Sequence, residues 1–263
     1  HFNYKRSYLK LNVDYFNVTA FDNFGIFSFD DPLHIVGDIG YNAYNFGYDF
    51  RGLYGQTSSL LSDQIFKSLP ISLSGQILLS DRIGYNEDDI SAARLKGSFP
   101  IFFGDILTFG VSNYIYTTKP SDELIQFHEN SEIDFKYVKE VSKKNWADVM
   151  RVEIFGEVSV YKNYNDDGMK SIWMDGENLY LGTSVKFPEA LEIYANYLNN
   201  VFDLETNFSR DRFTLGFKYK LENFRWDMNL QFWKNNNLDS LTWEDYYKYV
   251  ERIDGNGRWF QEH

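Results

Sequence analysis

The sequence predicts an all-β chain: about twelve antiparallel strands, with roughly 10 to 14 fitting the pattern, running up and down and closing as one barrel. Three observations predict it. Apolar and polar residues alternate with period two over much of the 263 residues, so each strand carries large apolar groups on one face and charges on the other. Phe, Tyr and Trp make up 19% of the chain, and such rings suit a pleated surface better than a helix. The segments between the alternating runs are polar and rich in turn formers.

Phe213 to Trp233 is the clearest stretch. Phe213, Leu215, Phe217, Tyr219 and Leu221 alternate with Thr214, Gly216, Lys218 and Lys220; Phe224, Trp226, Met228, Leu230 and Phe232 alternate with Arg225, Asp227, Asn229 and Gln231. Glu222-Asn223 is a two-residue link of hairpin length. Four full charges on the polar face are too many for the core of a soluble sandwich.

The remaining elements follow in order. Tyr8 to Tyr15 reads as one strand and residues 20–30 as a second, closed by Asp30-Asp31-Pro32. Ile35 to Tyr54 is strand-like, with aromatics on both parities among glycines. Residues 57–70 break the alternation: Leu61, Ile65, Phe66 and Leu69 at helical spacing predict a short amphipathic helix. Strand signals resume at Ile71–Leu79, then at Ala93, Leu95 and Gly97, and again at Leu107, Phe109 and Val111. Residues 118–131 read as a long acidic loop, 161–171 and 199–211 as two more, with strands around Ile133–Tyr137, Val152–Val160, Leu179–Val185 and Leu191–Tyr197 between them. Short links near 99–105, 142–147, 187–190 and 222–223 thus alternate with long ones, which predicts short turns on one rim and long loops on the other. The segment 236–255 reads as irregular or helical, Thr242 serving as a cap, and residues 1–263 form a single domain.

Composition excludes several functions. Net charge is −12, which argues against nucleic acid as a partner. Cysteine is absent, so disulfide scaffolds, thiol catalysis and thiolate metal sites are excluded. A mean hydropathy of −0.45 suits a soluble chain, but also a membrane barrel, half of whose strand residues face a wet lumen. No apolar run reaches the roughly 18 residues of a membrane-crossing helix. His1, as the first residue, fits removal of an export signal.

Catalytic patterns are lacking. The four histidines are scattered: His1 and His263 are terminal, His34 follows a turn, and His128 sits in the acidic 118–131 segment beside Glu129. Glu153 and Glu157 share a strand face at about 13 Å by strand rise, too far for a retaining glycosidase pair. Asp166-Asp167-Gly168 and Glu87-Asp88-Asp89 lack the spacing of a calcium loop and read as solvated loop acids. No enzyme activity, metal or cofactor is expected.

The alternating aromatic strands, tight turns, polar loops and cysteine-free acidic composition together resemble bacterial outer-membrane β-barrels of porin-like type. The resemblance is one of architecture and covers most of the chain. It implies residence in the outer membrane of a diderm bacterium, with the lipid bilayer and small solutes or ions as partners, and with a second copy of the chain or an envelope protein as further ones. The lumen-lining candidates are then Lys10, Asp14, Arg94, Lys96, Glu132, Asp134, Glu153, Glu157, Glu192, Lys218, Lys220, Arg225 and Asp227. The lipid-facing candidates are Leu179, Leu181, Ile193, Phe213, Leu215, Phe217, Tyr219, Phe224, Trp226, Met228, Leu230 and Phe232. Tyr180, Phe187, Tyr197, Phe213, Phe224 and Trp233, near strand ends, are candidates for aromatic girdles at the headgroups. Passive passage of solutes is the function expected; the alternatives are a soluble secreted β-sandwich binding carbohydrate or another ligand, and a non-conducting barrel serving as membrane anchor or part of an envelope complex.

Overall fold

A computed structural model describes residues 7–22, 29, 50–57, 71–82, 89–101, 105–121, 124–142, 149–165, 175–187, 191–203, 208–221 and 224–236. The predicted helix at 57–70, the strand signal over 35–49, the turn at 30–32, the loop acids at 87, 88, 166 and 167, and the segment 237–255 lie outside the described residues, except Thr57, which ends a strand.

Twelve strands form one antiparallel sheet: β1 (Ser7–Asn12), β2 (Phe16–Asp22), β3 (Phe50–Thr57), β4 (Ser72–Arg82), β5 (Asp89–Pro100), β6 (Ile106–Ser121), β7 (Leu124–Ser142), β8 (Val149–Asn165), β9 (Gly176–Lys186), β10 (Leu191–Asp203), β11 (Phe208–Leu221) and β12 (Phe224–Asn236). Each strand pairs with its neighbour in sequence, so the order in space is the order in the chain. The up-and-down arrangement is the one the alternation predicts.

Register holds one face together across all twelve strands. Lys218 on β11 stands opposite both Asp227 on β12 and Glu192 on β10; Glu192 stands opposite Lys186 on β9. Opposed residues share a face, so a continuous polar face runs from Lys10 to Asp227 and a continuous apolar face lies behind it. From β2 to β11 the polar face is the more buried one. Glu132, Asp134, Glu153 and Glu157 are 2–3% exposed, whereas Leu9, Leu230 and Phe232 on the apolar face are 73%, 58% and 62% exposed. The burial of a water-soluble sheet is thereby inverted.

Several strand limits differ from the sequence reading. The alternation Leu9, Leu11, Val13, Tyr15 runs through a tight turn: Val13 and Phe16 exchange backbone hydrogen bonds of 2.8 and 3.1 Å, so β1 ends at Asn12 and Tyr15 precedes β2. The supposed acidic loop 118–131 is almost entirely strand. β6 and β7 run to Ser121 and from Leu124, and the pairing continues through Thr117↔Phe127 and Tyr116↔His128. β8 likewise extends to Asn165, and β10 and β11 leave only residues 204–207 between them.

The two rims are mixed as a result. One carries the connections 13–15, 58–71, 101–105, 143–148, 187–190 and 222–223; the other carries 23–49, 83–88, 122–123, 166–175 and 204–207. Short turns on one rim and long loops on the other is therefore not the arrangement found. The second rim, on which β1 begins and β12 ends, is set apart by the 16-, 19- and 17-residue strands β6, β7 and β8 that rise toward it.

Glycines permit close approach at defined places. A Cβ on Gly52 would meet the Leu79 carbonyl oxygen and lie 2.7 Å from Ser80 Cα, both backbone atoms that cannot move aside. A Cβ on Gly75 meets only ordinary neighbours, Arg94 O at 3.6 Å and Thr57 Cγ2 at 3.7 Å. Gly52→Ala is expected to destabilise by about 1–3 kcal/mol through overpacking between β3 and β4. Gly75→Ala should change stability by less than about 1 kcal/mol. Denaturant midpoints of the two variants check this; equal midpoints would contradict the close approach at Gly52.

Candidate functional site

The polar face carries the chemistry of this chain. Of the thirteen lumen-lining candidates, Lys10, Arg94, Lys96, Glu132, Asp134, Glu153, Glu157, Glu192, Lys218, Lys220, Arg225 and Asp227 stand on it by register. Asp14 does not: it lies in the β1–β2 turn, exposed at a rim. All twelve lipid-facing candidates stand on the opposite face, Leu179, Leu181, Ile193, Phe213 and Leu215 at 37–45% exposure and Phe224, Trp226, Met228, Leu230 and Phe232 at 46–62%.

Arg94 organises the centre of the polar face. From β5 its Nη1 reaches across β6 to Asp134 Oδ2 at 2.6 Å and Glu132 Oε1 at 2.9 Å on β7, and donates to Ser112 Oγ at 2.9 Å. Ser112 in turn donates to Glu132. The reach is possible because β6 presents Gly110 and Ser112 beneath the guanidinium; a Cβ on Gly110 would collide with Asp134 and with Arg94, whose Nη2 and Nη1 would lie 2.6 and 2.7 Å away. These side chains are only 1–3% exposed, so the ions hold one another in place of water.

Glu153 gathers a second cluster nearer the first rim. Its Oε1 accepts from Arg151 Nε at 2.7 Å and Lys186 Nζ at 3.2 Å, and its Oε2 pairs with Lys136 Nζ at 3.1 Å. One buried carboxylate thus anchors three cations that are each 41–45% exposed, leaving net positive charge there. The ladder expected around Lys218 is present in register, but Lys218 Nζ sits 4.9 Å from the centre of the Tyr194 ring.

The remaining polar face divides into two parts. Over β2–β6, Phe21, Leu78, Ile90, Ala92 and Tyr116 form an apolar cluster joined by Phe29, 1% exposed, from the β2–β3 connection. This cluster fills its part of the polar face with side chains. Over β8–β12 a cavity of about 700 Å³ remains, lined by Phe155, Tyr180, Tyr194, Asn196, Asn229 and others.

Several features were missed in the sequence. Tyr180 and Trp233 stand on the polar face, opposite Glu157 and Arg212, and so are not girdle residues. The apolar band is bounded instead by polar groups on its own face. Arg51 pairs with Asp81 at 2.6 Å; Asn113 donates to Glu129 and Ser131 at 3.1 and 2.9 Å; Asp211 accepts from Tyr197, Asn199 and Asn236 at 2.7, 2.8 and 2.9 Å. Toward the other rim Asp105 accepts from Tyr137 at 2.6 Å beside Lys139. His128 lies on β7 rather than in a loop, and among the described residues no group of three or more His, Asp or Glu is placed to hold a metal ion.

Removing Arg94 strands two buried carboxylates. Arg94→Met is expected to cost about 3–5 kcal/mol, and Arg94→Met/Glu132→Gln/Asp134→Asn to recover most of it, because the triple variant leaves no buried charge. Denaturant midpoints of both variants measure it; a triple variant no more stable than the single one would contradict the account. No family model, no curated protein and no solved structure matches this chain.

Proposed function

We propose that the chain is a barrel of the bacterial outer membrane that lets small solutes or ions pass through a polar lumen, without catalysis. The observation that carries this reading is the inverted burial: charges such as Glu157 at 2% exposure on one face, and Leu230 at 58% and Phe232 at 62% on the other. An apolar face this extensive is costly in water and favourable in hydrocarbon. A sheet whose backbone groups pair internally is one of the two structures that can cross a bilayer.

Dimensions agree with that reading. Phe224 to Phe232, Phe213 to Leu221 and Leu191 to Tyr197 are apolar stretches of seven to nine residues, closed toward the second rim by Lys234, Asp211 and Asn199. Nine residues at strand rise, tilted by about 40°, span roughly 23 Å, close to the ≈ 25 Å apolar band of such barrels. Twelve is an even strand number, and β1 and β12 run in opposite senses, so joining them would complete an all-antiparallel cylinder. The apolar cluster around Phe29 narrows the proposed lumen on its β2–β6 side and leaves the β8–β12 side as the path.

The tests are direct. The protein should need detergent for extraction and migrate differently on gels before and after heating; release into buffer without detergent would favour the soluble sandwich. Purified protein in planar bilayers should give discrete conductance steps; their absence would turn the reading toward an anchoring barrel. Leu230→Arg is expected to cost about 2–4 kcal/mol of stability in the bilayer, falling toward 0–1 if the site lies near the interface. Gln231→Arg, on the polar face, should insert into liposomes like the unaltered protein, and equal loss in both would count against the assignment of faces.

A further inference from the structure

The cavity over β8–β12 has a ring laid along its wall. Phe155 stands opposite Gly182 in register, and a Cβ on Gly182 would run into the far edge of the Phe155 ring. The ring therefore leans across β9 and lies along the wall instead of standing out from it. Tyr194 repeats the arrangement on β10: it stands opposite Gly216, whose Cβ would meet the Tyr194 ring at its hydroxyl end. Tyr180 flanks Phe155 with ring centres 5.7 Å apart and planes inclined by 42°.

Around these rings the lining is dense in groups that both give and accept hydrogen bonds: Asn196, Thr214, Asn229 and Gln231. Each carboxylate of the lining has a cation near it: Glu153 is held by three, Asp227 lies 3.7 Å from Arg225, and Glu192 stands opposite Lys218 in register. The uncharged donors and acceptors are thus the groups left to meet a ligand.

We propose that this cavity is a binding site for a neutral saccharide of two to three units, held by a sugar ring against Phe155 and by its hydroxyls on Asn196, Asn229 and Gln231. The volume of about 700 Å³ is of ligand-site size. An aromatic ring lying along the wall suits the apolar face of a pyranose, and amides suit adjacent hydroxyl pairs, each of which needs a donor and an acceptor together. Lys218, its Nζ 4.9 Å from the centre of the Tyr194 ring, borders the site. The inference rests on the proposed lumen, of which this cavity would be the narrow, selective part.

Calorimetric titration of the detergent-solubilised, heat-modifiable protein with maltotriose and with cellotriose tests it. Binding of at least one is expected, weakened about tenfold in Phe155→Ala and retained in Phe155→Tyr. Asn229→Ala, at an exposed position of β12, should weaken it about two- to tenfold. Folded protein that binds neither sugar overturns the proposal, as does binding that both alanine variants leave intact, or binding of lysine or glutamate in place of the sugars. Conductance of bilayers that neither sugar reduces would leave the pore standing and sink the site. Sugar binding by a protein that never conducts would keep the site and sink the pore.

Discussion

The buried guanidinium of Arg94 imposes the constraint on which the sheet depends. An ion at 1% exposure must find its counter-charges inside the protein, and Arg94 finds them two strands away. That fixes the stagger of β5, β6 and β7 together, since only one register puts Gly110 and Ser112 beneath the bridge and Asp134 and Glu132 at its far end. A slip of one residue would turn Glu132, Asp134 and Glu157 onto the apolar face and Ile133 and Val158 onto the polar one. Charge pairing on one side and apolar exposure on the other therefore reject the same errors.

The faces of the strands were legible because period two reports them directly. Glu222-Asn223 and the alternation on either side were enough to place Lys218 opposite Asp227, and the structure has that pair. What alternation could not report was where strands stop. From 118 to 131 polar groups stand on both faces, with only Leu124, Ile125 and Phe127 among them, and such a run looks like a loop; it remains strand because the β6–β7 ladder continues through Thr117↔Phe127 and Thr118↔Gln126, with Asn113 donating to Glu129 and Ser131 below it. The opposite error occurred at Val13. There the apolar alternation continued through a turn, which placed Asp14 on a strand face it does not have.

The chemistry of the polar face was legible one residue at a time and not as a network. Arg94 and Glu132 are separated by 38 positions, and nothing in their local sequence says that β6 is thin enough to reach across. The useful signal was Gly110, whose meaning depends on knowing what stands on each side of it. Phe155 with Gly182, and Tyr194 with Gly216, are similar: a glycine in a strand is ordinarily a weakness, but opposite an aromatic ring it becomes the space into which the ring folds. Once register is known, each such pair can be read as a ring laid along the wall.

The two outermost strands show what the rest of the architecture asks for. β12 is exposed on both faces over nearly its whole length, and so is β1. In a sheet left open, each would present a row of unpaired backbone groups beside a greasy surface, a template for aggregation that short or charged edges usually blunt. Here the outward sides of both carry Leu9, Leu11, Trp226 and Leu230, which is the reverse of a protected edge. A sheet of twelve twisted strands also strains to stay open, since such sheets tend to curl once they exceed about ten. Closure of β1 upon β12 would remove both edges at once and bring Lys10 toward Arg225 and Asp227 on the enclosed side. The same step that makes a lumen would then also make the chain safe to fold, so the proposed pore and the stability of the sheet stand on one geometric act.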